Sequence, residues 1–177
     1  FIHGERLHVL IKELLEEQSI SFNALTGICV GKGPGSYTGL RIGVSTAKGL
    51  CFASAIPLYS VPTLGCFDFS NCTTPFVITV LDARRDEVYA QVWRLGEEGL
   101  TPDGAVEAVI ITDDSWKYLQ NESVTIVGEG VEKMGQFMTQ IPENWQLQAN
   151  SDPDAKFMGR HLLVLPVAED VAYFEPY

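Results

Sequence analysis

The sequence predicts an α/β fold with helices on both faces of mostly parallel strands, and three observations carry the prediction. Residues 27–61 read as strand, helix and strand; residues 76–95 read as two β-rich runs around a polar turn; and beyond them short apolar strands alternate with helical periodicities.

The first element is an amphipathic helix over residues 4–18. Leu7, Leu10, Ile11, Leu14 and Leu15 recur at helical spacing, with Glu5, Lys12, Glu13, Glu16 and Glu17 around them. A polar turn at 21–24 leads to Gly27-Ile28-Cys29-Val30-Gly31, a glycine-bounded apolar run that fits a buried strand. Gly33 to Gly39 form a tight loop that opens a second helix over 38–55, with Ser36 or Thr38 as the candidate N-cap. Pro57 closes that helix, and 58–61 is the next strand. This βαβ order requires parallel strands.

The chain turns polar at 70–75, so one lobe is expected over 1–72 and a second over 73–177, with the last segment free to pack back on the first. In the second half, 76–81 and 87–95 are strands of a hairpin around Asp82-Ala83-Arg84-Arg85-Asp86. Helices are expected at 112–120, 131–140 and 154–165, and a strand at 124–128.

Composition narrows the function classes. With 46% hydrophobic residues, the 177-residue chain suffices for one sizeable domain or two small ones. It opens at Phe1 directly on a periodic segment, so an N-terminal piece of the natural protein is expected to be missing. No apolar run approaches about 18 residues, so no membrane span is expected. The net charge of −11 opposes direct binding of nucleic acid, whose affinity comes largely from neutralised phosphates. Cys29, Cys51, Cys66 and Cys72 form no C-x-x-C pair, and Cys29 and Cys51 sit in apolar runs as buried free thiols would, which fits a reducing cytosol.

The motifs argue against independent chemistry. Gly33-x-Gly35-x-x-x-Gly39 is neither a P-loop nor a clean G-x-G-x-x-G, so it reads first as a tight strand-to-helix turn and second as a phosphate loop. Ser36 lacks the G-x-S-x-G setting of a nucleophile. His3, His8 and His161 have no chelating spacing, so no metal and no cofactor are expected. Asp82, Asp86 and Glu87 could do acid–base work, but a hairpin turn is where solvated carboxylates normally sit. In the second helix Gly39, Gly43 and Ala47 leave one side nearly bare, while Arg41, Ser45 and Lys48 share a stripe. That is a core helix whose far side can meet a partner.

From Gly31, the string Gly-Lys-Gly-Pro-Gly-Ser-Tyr-Thr-Gly-Leu-Arg-Ile-Gly resembles the signature of the TsaB (YeaZ) family of tRNA threonylcarbamoyladenosine biosynthesis proteins. Asp82-Ala83-Arg84-Arg85-Asp86-Glu87-Val88-Tyr89 resembles the family's hairpin motif, Val127-Gly128-Glu129-Gly130 its later glycine pair, Glu175-Pro176-Tyr177 its closing motif, and His3 with Leu7 its first-helix pattern. The resemblance implies two actin/Hsp70/sugar-kinase-like (ASKHA) lobes, the first incomplete as given. The related catalytic subunit, TsaD, holds a metal with a His-x-x-x-His motif; here the corresponding stretch is Val61-Pro62-Thr63-Leu64-Gly65-Cys66, without histidine.

The resemblance therefore implies a non-catalytic, cytoplasmic scaffold that pairs with a TsaD-like subunit through its first two helices. It implies a homodimer when alone, a TsaE-like ATPase reached through the complex, and tRNA contacted only indirectly. On this reading Leu7, Leu10, Ile11, Leu14, Ile42 and Val44 form the interface. Gly33, Pro34, Gly35, Ser36, Thr38, Gly39 and Arg41 form the family loop, and Asp82, Arg84 and Asp86 the hairpin motif. The alternative is an ATP-dependent phosphotransferase or metallopeptidase-like enzyme of the same superfamily.

Overall fold

The computed structural model describes residues 3–97, 99–162 and 167–177, apart from the side chains of His3, Glu5, His161 and Leu162. The readings that invoke His3 and His161 as side chains, and residues 163–165 of the last expected helix, lie outside the described residues. The chain divides into two compact units, Phe1–Pro62 with Arg160–Tyr177, and Thr63–Gly159. The division falls earlier than the expected 72/73.

In the first unit, α1 (His3–Glu17) precedes the βαβ run of β1 (Ile28–Gly31), α2 (Tyr37–Ser54) and β2 (Leu58–Val61). Helix α1 ends because Ser19 turns left-handed, letting Ile20 N–H reach Leu15 O and Ser19 N–H reach Glu16 O, a Schellman closure. Helix α2 ends similarly at left-handed Ala55, with Pro57 preventing continuation. Strands β1 and β2 pair in parallel, Ile28 opposite Leu58 and Gly31 opposite Val61. Val44, Ala47 and Cys51, at helical spacing on α2, pack with Leu58 and Phe174 into this unit's core. Gly4 allows α1 close to α2: a Cβ there would lie 3.1 Å from Ile42 Cδ1.

In the second unit β3 (Phe76–Asp82) and β4 (Glu87–Gly96) form an antiparallel hairpin. β5 (Gly99–Pro102) and β6 (Glu107–Ile110) both pair antiparallel with β4. On the other side β7 (Val124–Val127) and β8 (Trp145–Gln148) continue in parallel from β3. The sheet is thus mixed, where mostly parallel strands were expected. Its alternating side chains bury both faces: Ile78, Val80, Val88 and Ile126 with Met134 in one cluster, Val77, Leu81, Trp93 and Val127 with Leu64 and Phe67 in another.

Three helical expectations are corrected. Over 112–120 only Lys117–Leu119 makes a 3-10 turn. The Ser115 hydroxyl donates to Ile110 O and accepts from Thr112 N–H, the Asp113 carboxylate is taken by Thr139, and Trp116 is left-handed, so side-chain bonds replace the helical ladder. The helix expected at 131–140 is the shorter α3 (Glu132–Phe137) after a 3-10 turn. That at 154–165 is a 3-10 turn capped by Asp154 followed, among described residues, by α4 (Gly159–Leu162).

Candidate functional site

The glycine loop leaves β1 through Lys32, whose N–H donates to Val61 O at 2.9 Å. Gly33 is left-handed (φ 103°) and joined to Pro34 by a cis peptide; both are buried. A side chain at Gly33 would meet Leu40 at 3.1 Å and Tyr177 at 3.4 Å, so two separate parts of the unit close on this position. Gly35, Ser36, Thr38 and Gly39 are exposed. Ser36 is the N-cap, and its hydroxyl takes the Gly39 N–H at 3.4 Å. One of the donors that a phosphate would use is thereby occupied, which favours the turn reading of this loop. The Arg41 guanidinium lies 4.4 Å over the Tyr37 ring.

Helix α2 presents three differently employed sides. Val44, Ala47 and Cys51 face the core; Ile42 meets α1; Tyr37, Arg41, Ser45 and Phe52 lie outward, Phe52 being 84% exposed. Val44 was expected at the interface, but it is 3% exposed and packs with Leu58 and Phe174 in this unit's core. On α1, Leu7 and Ile11 are half-buried, whereas Leu10 and Leu14 are 47% and 57% exposed. Ile11, Leu15, Ile20, Phe22 and Leu50, together with His8, Lys12 and Glu16, line a largely apolar hollow of about 290 Å³.

The sequence left the last segment free to pack back on the first lobe but did not give the contacts that residues 169–177 make in this unit. Glu169 N–H donates to Leu58 O at 2.8 Å, its carboxylate accepts from the Ser60 hydroxyl, and Phe174 enters the core. The Lys48 ammonium donates to the carbonyls of Ala172 and Phe174, both at 3.0 Å. Tyr177 N–H donates to Lys32 O at 2.9 Å. The closing motif therefore sits against the glycine loop. The local signal for these contacts was Lys48, which with Arg41 is one of two cations on a largely apolar helix.

The hairpin motif, in the second unit, is a separate cluster. Arg84 and Arg85 are both left-handed (φ 73° and 47°), and the Asp82 carboxylate accepts from the Arg84 N–H. Lys133, its side chain 8% exposed, donates to Asp82 at 3.1 Å and to Glu87 O at 2.6 Å. The Arg84 N–H first and the Lys133 ammonium after it hold the Asp82 carboxyl below its usual range. Asp86 accepts the Ile111 N–H through its backbone carbonyl, tying the turn to the residue after β6. Lys133 was not singled out in the sequence, although it is the one cation of α3. Burial pushes the Cys29, Cys51 and Cys72 thiols up, away from the reactive thiolate.

Among the described residues no three His, Cys, Asp or Glu side chains converge to hold an ion, and no helix is long and apolar enough to cross a membrane. What these residues do provide is exposed apolar side chains on two packed helices, a capped loop and a braced hairpin.

Comparison with known proteins follows the same outline. The model of the family described as TsaD, tRNA N6-adenosine threonylcarbamoyltransferase, matches residues 2–174. The chain is 30% identical over 132 residues to the tRNA threonylcarbamoyladenosine biosynthesis protein TsaB of Escherichia coli K12, covering 70% of this chain and 56% of that protein. With TsaB of Haemophilus influenzae it is 30% identical over 147 residues, 76% of this chain and 61% of that one. The chain thus spans less than two thirds of the length of these relatives. The structure of YeaZ from Pseudomonas aeruginosa superimposes with a TM-score of 0.80 at 24% identity, covering 99% of this chain and 83% of that one; the shared α/β fold and the family match together bear out the expected ASKHA-type fold.

Proposed function

The chain belongs to the TsaD family of the matched model, in its TsaB (YeaZ) group, and from that premise we propose that it is a non-catalytic subunit in the threonylcarbamoyladenosine modification of tRNA. Its role is to pair through α1 and α2 with the catalytic TsaD-like subunit and to support that subunit's activity. The observation that carries this reading is the unpartnered apolar face of the two helices, with Leu10, Leu14 and Phe52 exposed beside half-buried Leu7, Ile11 and Ile42. Exposed apolar surface grouped on adjoining elements marks an association site.

Three further features support it. The stretch from Val61 to Cys66 contains no histidine for the catalytic subunit's metal motif. The loop from Gly33 to Gly39 spends a helix N-terminal donor on its own serine. The net charge of −11 favours tRNA contacts made mainly by the partner. In this reading the same face joins two copies when the chain is alone, a TsaE-like ATPase reaches it through the complex, and the work is cytoplasmic. The relatives' names support the pathway, and the pairing itself is tested directly.

The test mixes the full natural protein with the TsaD-like subunit of its own organism, with complex mass by light scattering and threonylcarbamoyl transfer to tRNA in parallel. The expected result is a one-to-one complex that is active when neither subunit is active alone. Metal- or ATP-dependent turnover by this chain without a complex would favour the enzyme reading and defeat this one.

A further inference from the structure

Lys48 stands on the outward side of α2, in line with Tyr37, Arg41, Ser45 and Phe52 at intervals of three and four residues. It is not needed to bury α2, which rests on Val44, Ala47 and Cys51. Its ammonium instead spends two of its three donors on the backbone carbonyls of Ala172 and Phe174. Residues 169–177 are held at their start by Glu169 on Leu58 and Ser60, and at their end by Tyr177 N–H on Lys32 O. Lys48 pins the middle, where the Asp170 carboxylate organises a turn by accepting the Ala172 N–H.

The held segment then borders the helix stripe. Arg41, Ser45 and Lys48, with the largely buried Val44 at the floor between them, line a hollow of about 370 Å³ together with Glu175 and Pro176, so the stripe and the segment make one continuous surface. Tyr173 and Tyr177 on the segment are 84% and 72% exposed. Tyrosines of this kind are enriched where protein partners meet, because they offer large area at small cost in side-chain freedom.

We propose that Lys48 is a latch, a positioning residue that holds residues 169–177 on α2 and thereby makes that segment part of the surface on which the partner subunit docks. This rests on the pairing through α1 and α2 proposed above. The latch acts through geometry. The two carbonyls fix the Ala172–Phe174 turn to the helix, and the turn sets where Tyr173 projects and where Glu175 and Pro176 stand beside Arg41.

The test uses the full natural chain carrying Lys48→Met, which keeps the stem and removes the donors, Lys48→Arg, which keeps donors, and Glu169→Ala, which loosens the same segment from its other end without touching α2. Amide exchange at Phe174 and Tyr177 reports attachment, and the dissociation constant with the TsaD-like subunit reports docking. Lys48→Met should speed exchange roughly tenfold, the loss expected for charge-assisted bonds. It should weaken the complex at least fivefold, Glu169→Ala should weaken it too, and Lys48→Arg should recover most of both effects. Faster exchange with unchanged affinity overturns the proposal, as does weakening by Lys48→Met without any by Glu169→Ala, which would make Lys48 a direct contact. A native chain that forms no complex defeats the pairing reading and takes this inference with it.

Discussion

Replacing Leu10 and Leu14 with serine separates an association face from an ordinary helix surface. Fully burying a leucine is worth about 1.5–3 kcal/mol. With 57% of Leu14 and 47% of Leu10 still exposed, roughly 1–1.5 kcal/mol each is left for association. The double substitution Leu10→Ser, Leu14→Ser should therefore weaken pairing with the TsaD-like subunit by about 2–3 kcal/mol, roughly 30- to 150-fold in Kd. The isolated chain loses helix propensity, about 0.5 kcal/mol per site, and the part of each leucine it already buries, roughly 1 kcal/mol each. Val44→Ala is the opposite control: Val44 is 3% exposed in the first unit's core, so its truncation should cost about 1–2.5 kcal/mol of stability and leave Kd within about twofold. Kd by titration calorimetry and stability by urea unfolding measure both quantities on both variants. Unchanged Kd in the leucine double variant, or a Val44→Ala defect in binding larger than its loss of stability, would refute the assignment of faces.

Three other outcomes follow from the second unit. Asp82 is held below its usual range by the Arg84 N–H and the Lys133 ammonium. Its contribution is therefore full above the unfolded-chain value of about 4 and lost as pH falls through the lower folded value; the stability difference between the native chain and Asp82→Asn should stay level from neutral pH to about 4 and close below it, read by urea unfolding across pH. Lys133→Met removes the donor to both Asp82 and Glu87 O, and should cost about 2 kcal/mol in the same assay. Gly128 and Gly104 are both left-handed, but a Cβ at Gly128 would lie 2.1 Å from Val80 O while one at Gly104 meets nothing within 4 Å. Gly128→Ala should cost about 4 kcal/mol or more, and Gly104→Ala about 1–2 kcal/mol of backbone strain alone, compared by thermal unfolding.

The βαβ run was legible because its signals are local: a glycine-bounded apolar strand, a serine that caps, and a proline that stops the helix. The β3–β4 hairpin was legible from its two apolar runs, yet its turn geometry was not, since consecutive left-handed arginines replace the Asn-Gly chemistry that such turns favour. Strands β5 and β6 went unread because they are four residues each, mostly exposed, and carry no clean alternation. The expected helix at 112–120 failed because Thr112, Asp113 and Ser115 bond the backbone themselves and compete with the ladder. At the candidate face, helical spacing gave Leu10 and Leu14 but could not tell Val44's core side from Arg41's outward side. That choice depends on β1, β2 and on Phe174, far along the chain. The bond from Lys48 to Phe174 spans 126 positions, and nothing local marks its acceptor.

Hydrogen–deuterium exchange on the chain with and without its TsaD-like partner tests the central claim most directly. Pairing through the helical face predicts protection concentrated in residues 3–17 and 37–54, with the hairpin at 82–87 unchanged. Protection confined to that hairpin, or none in either helix while a complex forms, would contradict it.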